Sequence, residues 1–183
     1  NDGQVITYLE KVKSFEAAGH AEWKKNVLHF VGGDSETLST LLGNFMSGYE
    51  SLIEDTLYGA QVGTFRKNSS QPIQVVVSDS IKEMVNAGAG LLTFFGHGNP
   101  YGFDQAIDEP ELYSNKDKYP FLFANSCYSG EIHDPGAITV SKRFIFAKEK
   151  GSVGFLATTS LGFIYALNDY ARHFYEALSH SKY

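Results

Sequence analysis

The chain has 183 residues, 43% of them hydrophobic, with a formal net charge of -6 and a pI of about 5.5. This length fits one packed domain, and we predict a single domain over residues 1–183. An acidic chain without a dense run of Lys or Arg argues against nucleic acid or an anionic membrane surface as the main partner. No stretch approaches the ~18 uninterrupted apolar residues of a membrane span, and the first residues show no signal-peptide pattern.

The first half of the chain predicts two helices and one strand before a loop. Apolar residues at helical spacing predict an opening helix with Val5, Tyr8, Leu9, Val12 and Phe15 on one face. A short β-favouring run at 27–31 predicts the first strand. The next helix has Asp34 or Ser35 as its cap and an apolar stripe within 38–49. Small and polar residues at 59–71 predict an exposed loop.

The second half continues the alternation of strands and helices. Residues 73–77 predict a strand, and the Ser80-Ile81-Lys82-Glu83 capping box predicts a short helix that Gly88 and Gly90 end. Further strands are predicted at 91–95, 121–124 and 153–157. Helices are predicted at 140–148 and, with an apolar face, at 163–178.

Strands that are continuous apolar runs and alternate with helices indicate a doubly wound α/β domain. We therefore predict a mostly parallel sheet flanked by helices on both faces. The chain begins and stops close to helical patterns. We expect it to be a piece of a longer multidomain protein.

Two strand ends carry chemically reactive residues. His97 follows one apolar strand and stands between Gly96 and Gly98, while Cys127, the sole cysteine, follows another. Catalytic groups of such sheets gather at the carboxyl ends of the strands. A cysteine nucleophile gains from an imidazole that takes its proton, and the backbone amides of Gly98 and Cys127 can donate to a developing oxyanion.

Each motif alone has a plainer interpretation. An isolated cysteine at a strand end is more often a packing residue, and a histidine between glycines can be a turn residue. One cysteine cannot form an internal disulfide, so it leaves the redox compartment open. The conjunction of the two motifs favours a catalytic pair, provided that the fold brings them together.

At these residues the sequence resembles the gingipain family of cysteine peptidases, within the caspase-like clan. The first motif is a hydrophobic strand ending in His-Gly, here Phe95-Gly96-His97-Gly98, and the second is Cys127-Tyr128-Ser129-Gly130-Glu131. Caspases proper place that glycine one residue nearer to the cysteine. The resemblance covers roughly residues 27–178.

The resemblance implies a caspase-like fold, that of the gingipain catalytic subdomain, and peptide-bond hydrolysis without a cofactor. Cys127 would be the nucleophile and His97 the general base. The pocket for the residue before the cut would be lined by Asn125, Thr158, Thr159 and Phe163. The resemblance also implies a polypeptide substrate, a further α/β subdomain upstream as a partner, and a secreted bacterial protein that acts outside the cell or on its surface.

One position departs from the family pattern. Some relatives place a glutamate behind the histidine, and Val31 aligns with it here. Asp34 or Glu36 is the candidate for that orienting role, although helix capping explains both residues equally well. A cysteine–histidine pair can work without a third member.

Several other residues have plain interpretations. We expect His133 to be a polar loop residue and His29 a satisfied, semi-buried residue of a strand. The acids Asp104, Asp108, Glu109 and Glu111 could hold calcium, but a solvated acidic loop is the commoner outcome. No Cys and His spacing typical of a zinc site occurs, and we predict no metal.

Two rival functions remain at the level of sequence. The first is an inactive peptidase-like binding or scaffold module, which Val31 at the orienting position favours. The second is a flavodoxin-like nucleotide or redox domain. It is disfavoured because Gly32-Gly33-Asp34-Ser35 places an acid where a phosphate should bind.

Overall fold

The computed structural model describes residues 2–54, 57–67 and 79–180. Its helices are α1 (Asp2–Ala17), α2 (Glu36–Ile53), α3 (Asp79–Ala87), α4 (Val140–Phe146) and α5 (Ile164–Ser179). Its strands are β1 (Asn26–Val31), β2 (Gln61–Arg66), β3 (Leu91–Phe95), β4 (Gly98–Asn99), β5 (Gly102–Phe103), β6 (Phe121–Asn125) and β7 (Gly154–Ala157). The strand predicted at 73–77 lies outside the described residues.

Five strands form one parallel sheet in the order β2-β1-β3-β6-β7, and β4 and β5 form a separate antiparallel pair. The two central strands β3 and β6 are the apolar runs that end at the His97 and Cys127 motifs. Every residue of β3 is buried, as expected for a strand covered on both faces.

Two apolar clusters cover the faces of the sheet. On one face, side chains such as Leu92 and Phe94 pack with Ile81 of α3 and Phe144 of α4. On the other face, side chains such as Leu91 and Phe95 pack with residues of α2 and α5. Helices on both faces of a parallel sheet confirm the predicted α/β fold class.

The loop prediction at 59–71 is wrong for its central part, because β2 occupies Gln61–Arg66. An edge strand pairs on one side only and is half exposed, so it needs few apolar residues. Val62 and Phe65 are sufficient here: they pack against the two opposite core clusters. The residues between them are small or polar, so the strand shows no alternation of apolar and polar residues.

The opening helix is present as α1, but its most buried residue is a lysine. Val5 and Leu9 are exposed, Tyr8, Val12 and Phe15 are half-buried, and Lys11 is buried. Its ammonium donates hydrogen bonds to Phe144 O at 2.9 Å, Ile145 O at 3.0 Å and Ser152 O at 3.4 Å. Two carbonyls in the last turn of α4 and one just before β7 thus accept hydrogen bonds from the buried ammonium.

Helix starts agree with the sequence in one case and differ in another. Ser35 caps α2, since its hydroxyl accepts from Leu38 N at 3.3 Å. The capping box at Ser80 does not start α3, which already begins at Asp79.

Among the residues that the structure describes, no helix combines the length and the apolar character needed to cross a membrane.

Candidate active site

The two reactive side chains follow neighbouring central strands at equivalent positions. β3 and β6 pair in parallel with Phe95 opposite Asn125, and Gly96 N donates to Asn125 O at 3.3 Å. His97 and Cys127 each come two residues after this matched pair. Adjacent strands lie about 4.8 Å apart, so the sheet brings the two loops that carry these residues to the same edge.

The two loops are in contact just beyond the strands. A Cβ atom on Gly98 would lie 2.6 Å from the Ser126 hydroxyl oxygen, so only glycine allows this approach. The Ser126 hydroxyl is buried and donates to the Ser129 hydroxyl at 2.8 Å. The turn after His97 therefore packs directly on the residue before Cys127.

Cys127 is partly exposed, and its thiol lies outside the apolar clusters. Gly162 N donates to Cys127 Sγ at 3.4 Å. The loop is also tied to the segment after β7, because Tyr128 N donates to Ser160 O and Gly130 N to Thr158 O, both at 2.8 Å. These bonds hold the thiol at the surface of the domain.

His97 lies beside one of the two acids that the sequence offered as an orienting group. His97 Nε2 is 3.6 Å from Asp34 Oδ2, and the two side chains are 55% and 59% exposed. An exposed pair of this kind contributes about 0–1 kcal/mol. Glu36 lies in the first turn of α2, where it suits the helix dipole, and Val31 is fully buried in the core.

The prediction of a solvated acidic loop is correct for Glu109 and Glu111, which are exposed, and wrong for Asp104. Asp104 is only 4% exposed and accepts a hydrogen bond from Gly33 N at 2.7 Å. Asp108 is half-buried and accepts from Phe103 N, and Glu111 is paired with Arg143. Burial raises the pKa of both Asp104 and Asp108, and the Arg143 hydrogen bond lowers the pKa of Glu111. Within the described ranges, no group of three His, Cys, Asp or Glu side chains could hold a metal ion.

Two other histidines differ in burial. The prediction of a satisfied, semi-buried His29 is wrong, because β1 is covered on both faces: His29 is fully buried, its Nε2 is 2.8 Å from the Tyr175 hydroxyl, and its Nδ1 has no hydrogen-bond partner among the described residues. Burial lowers its pKa to about 3, so the ring is neutral at physiological pH. His133 is an exposed loop residue, as predicted.

A pocket of ≈ 220 Å³ opens between the ends of β6 and β7 and helix α5. Asn125 is one of its walls, and Asn125 Nδ2 is buried without a hydrogen-bond partner within the described part of the chain. Thr158 also lines the pocket, whereas Thr159 is not among its walls and Phe163 is 74% exposed. The walls among the described residues are uncharged: Phe123, Ala124, Asn125, Leu156, Ala157, Thr158, Leu167 and Tyr170.

Sequence reasoning missed one residue of this region, Asp104. It was grouped with its acidic neighbours, but its carboxylate lies beneath the turns that carry Asp34 and His97. The available signal was its position seven residues after His97, beyond a glycine-containing hairpin. No local pattern indicated that this particular acid would be buried.

Comparison with known proteins gives a family and a fold. The model of the family described as peptidase family C25 matches residues 1–183. A solved structure described as "Structure of Protease" is similar at a TM-score of 0.70 with 15% identity. The match covers 88% of this chain and 35% of the chain in that structure. No curated protein matches the chain.

Two further solved structures are gingipains. The complex of the Porphyromonas gingivalis RgpB pro- and mature domains is similar at a TM-score of 0.65 with 15% identity, over 93% of this chain and 42% of that chain. The Arg-specific cysteine proteinase gingipain R is similar at a TM-score of 0.55 with 17% identity, over 79% and 34%. The chain thus spans well under half the length of these structures.

Proposed function

Because the chain belongs to peptidase family C25, we propose that it is a cysteine endopeptidase domain with Cys127 as nucleophile and His97 as general base. The observation that carries this proposal is the pairing of Phe95 with Asn125, which places both reactive residues two positions beyond one matched pair. Catalytic groups of α/β domains gather at the carboxyl ends of the strands, and a nucleophile beside a base is the arrangement that covalent catalysis needs.

The proposed reaction is covalent acyl transfer. Cys127 Sγ forms a bond to the carbonyl carbon while the thiol proton moves to His97. The amides of Gly98 and Cys127 donate to the oxyanion that develops. The C–N bond then breaks as His97 returns the proton to the leaving amine, and water releases the acyl group. Besides the peptide substrate, the proposed reaction needs only the protein groups and water, without a cofactor.

Asp34 is the orienting acid that the geometry favours over Glu36. Its carboxylate lies within ion-pair distance of the imidazole but beyond hydrogen-bond length. The contribution of such an exposed pair is small. The proposed pair of Cys127 and His97 therefore operates as a dyad with a weak third partner.

The residue before the cleaved bond is proposed to occupy the pocket beside Asn125. The walls are mostly apolar, and the wall residue Asn125 has a buried amide nitrogen without a hydrogen-bond partner among the described residues. This lining suits an uncharged side chain with a hydrogen-bond acceptor. One structural relative is described as an Arg-specific proteinase, and the uncharged walls here argue for a different preference.

The same relatives support a proposal about the neighbouring domain and the location of the protein. One of them is a complex of pro- and mature domains, and we propose that this domain likewise acts beside a further domain of its own protein. By family likeness, the protein acts on polypeptides outside the cell or on the bacterial surface.

The second candidate is a peptidase-like module that binds without cutting. Buried Val31 at the position of the family's glutamate favours it. The partly exposed thiol at the end of β6 favours catalysis instead.

Alkylation of Cys127 in the native protein separates these functions. We expect iodoacetamide and a peptidyl halomethyl ketone to label Cys127 stoichiometrically near pH 7, because the imidazole accepts the thiol proton. His97→Ala should slow labelling at least about tenfold, whereas the matched change His133→Ala, at an exposed loop histidine, should leave the rate unchanged. Labelling at the rate of an ordinary thiol in all three proteins would favour the binding module.

A further inference from the structure

Asp104 is a buried carboxylate at the junction of three loops. It follows the β4–β5 hairpin that begins just after His97, and its backbone N–H donates to His97 O at 2.9 Å. Its side-chain Oδ2 accepts from Gly33 N at 2.7 Å. One residue thus joins the turn after β3, which carries His97, to the turn after β1, which leads to Asp34.

The second carboxylate oxygen of Asp104 fits between two glycines. A Cβ atom added at Gly32 would lie 2.2 Å from Asp104 Oδ1, and one added at Gly96 would lie 2.6 Å from the same oxygen. A side chain at either position would therefore displace the carboxylate. Oδ1 is buried and has no hydrogen-bond partner among the described residues. Both turns are shaped around this carboxylate.

Lys67 supplies the opposite charge beneath the same turns. Its ammonium lies 3.7 Å from Asp104 Oδ2 and donates to Gly33 O at 3.2 Å, and both side chains are almost fully buried. A buried ion pair often stabilises a fold no better than apolar residues of similar size. Stability alone is therefore a poor reason for a carboxylate at this place.

We infer that Asp104 is a positioning residue for His97, fixing the turn that presents the imidazole and placing a negative charge beneath it. This inference rests on the proposed function. When Cys127 gives up its proton, the imidazolium that forms is attracted by the carboxylates of Asp34 and Asp104, and Lys67 offsets part of the Asp104 charge. The buried carboxylate is held by the backbone and needs no reorganisation at that step.

Two substitutions separate the charge of Asp104 from its hydrogen bond. Asp104→Asn keeps an oxygen that can accept from Gly33 N and removes the charge, whereas Asp104→Ala removes both. The matched control is Asp108→Asn. Asp108 lies in the same segment and also accepts a backbone hydrogen bond, from Phe103 N at 3.1 Å.

The experiment measures the rate of Cys127 alkylation by iodoacetamide in the native protein between pH 5 and 9. Misplacement of a catalytic group by about 1 Å can cost up to about a hundredfold in rate. We expect Asp104→Asn to slow labelling at pH 7 by about tenfold and to move the rate profile towards that of His97→Ala. Asp104→Ala should have at least the same effect, and Asp108→Asn should match the wild type.

Folding is followed in parallel by circular dichroism and thermal unfolding, so that rates are compared only among folded proteins. A folded Asp104→Asn variant whose rate profile coincides with that of Asp108→Asn would overturn the inference and leave the dyad intact. If Asp104→Asn fails to fold, a folded Lys67→Met variant with the profile of the wild type would overturn it instead. A wild-type protein without His97-dependent labelling would refute the dyad itself, and the inference with it.

Discussion

Under the proposed function, single residues of the pocket determine which side chains it accepts. Asn125 ends β6, two positions before Cys127, and is one wall of a pocket whose described walls are uncharged. Its amide nitrogen is buried and has no hydrogen-bond partner among the described residues. Uncharged walls supply no counter-charge for a guanidinium or an ammonium, so the proposed preference for an uncharged side chain depends on the lack of a charge at Asn125.

Asn125→Asp tests this dependence by exchanging that donor for an acceptor of the same shape. We expect the ratio of kcat/KM for Arg-containing over Leu-containing peptides to rise by about tenfold or more, because a carboxylate can pair with the guanidinium. The readout is cleavage of two peptides that differ only in the residue before the cut.

Asn125→Ala is the control for the loss of the amide without a new charge. It should lower cleavage of both peptides and leave their ratio near that of the wild type. An unchanged ratio in Asn125→Asp would mean that this pocket does not hold the residue before the cut.

At the scale of elements, α1 is attached to the domain by hydrogen bonds from a buried lysine. The helix packs along α4, its residues Val5 and Leu9 are exposed, and the Lys11 ammonium donates to three carbonyls around the C-terminal end of α4. Burial lowers the pKa of Lys11 to about 8. Carbonyls at a helix C-terminus favour a positive charge there.

Replacing Lys11 with Met should loosen α1 without disturbing the sheet. The change leaves Phe144 O and Ser152 O without the ammonium donor, at an expected cost of about 1–3 kcal/mol. Hydrogen exchange of the native protein should therefore show faster exchange across α1, with little change in β3 and β6. Lys13→Met, on the exposed side of the same helix, is the control. Equal exchange in the two variants would contradict the anchoring role of Lys11.

At the scale of the whole molecule, a buried hydrogen-bond chain joins the sheet to α5. The Tyr175 hydroxyl lies 2.8 Å from His29 Nε2 and 2.6 Å from Thr93 Oγ1, so β1, β3 and α5 meet at one phenol. His29 Nδ1 is buried and has no hydrogen-bond partner among the described residues. Protonation of His29 would add a charge that this core cannot solvate.

The domain should consequently lose stability in mild acid. The His29 pKa is lowered from 6.5 to about 3 by burial, so below pH 6.5 the unfolded chain binds a proton that the folded domain excludes. Stability then falls by up to about 1.4 kcal/mol per pH unit until the folded pKa is reached. Thermal unfolding at a series of pH values measures this slope.

His29→Gln removes the titrating group and should flatten the dependence of the unfolding temperature on pH between 6.5 and 4. His173→Gln, at an exposed histidine of α5, should keep the slope of the wild type. Equal slopes in both variants would show that other groups govern the acid sensitivity.

The sequence predicted the α/β class and the strands at the centre of the sheet. Strands buried on both faces are continuous apolar runs, so β1, β3 and β6 stand out from their surroundings. The edge strand β2 did not, because only Val62 and Phe65 have core partners. The apolar spacing of α1 gave no sign that Lys11 would be its most buried residue, because the three carbonyls that accept from its ammonium are distant in sequence.

The reactive residues of the candidate site could be predicted from the sequence, but the buried acid near them could not. Glycines beside His97 and the single cysteine at a strand end indicated the two reactive residues, and their pairing as a dyad stays a prediction. The structure brings Asn125 and Thr158 to one pocket and leaves Phe163 exposed. The burial of Asp104 depends on contacts with Gly32, Gly33 and Lys67, which lie between 37 and 72 positions away in sequence. Local patterns contain no information about such a contact.

The matched register of β3 and β6 has a consequence for how far relatives can diverge. Two intervals are constrained: the two-residue steps from Phe95 to His97 and from Asn125 to Cys127. The connecting loops can gain or lose residues, and the outer helices can change composition, without altering the register that places the two residues at adjacent strand ends. Structural relatives at 15–17% identity are compatible with that freedom, and we expect strand-to-residue spacing to identify distant members better than overall identity does.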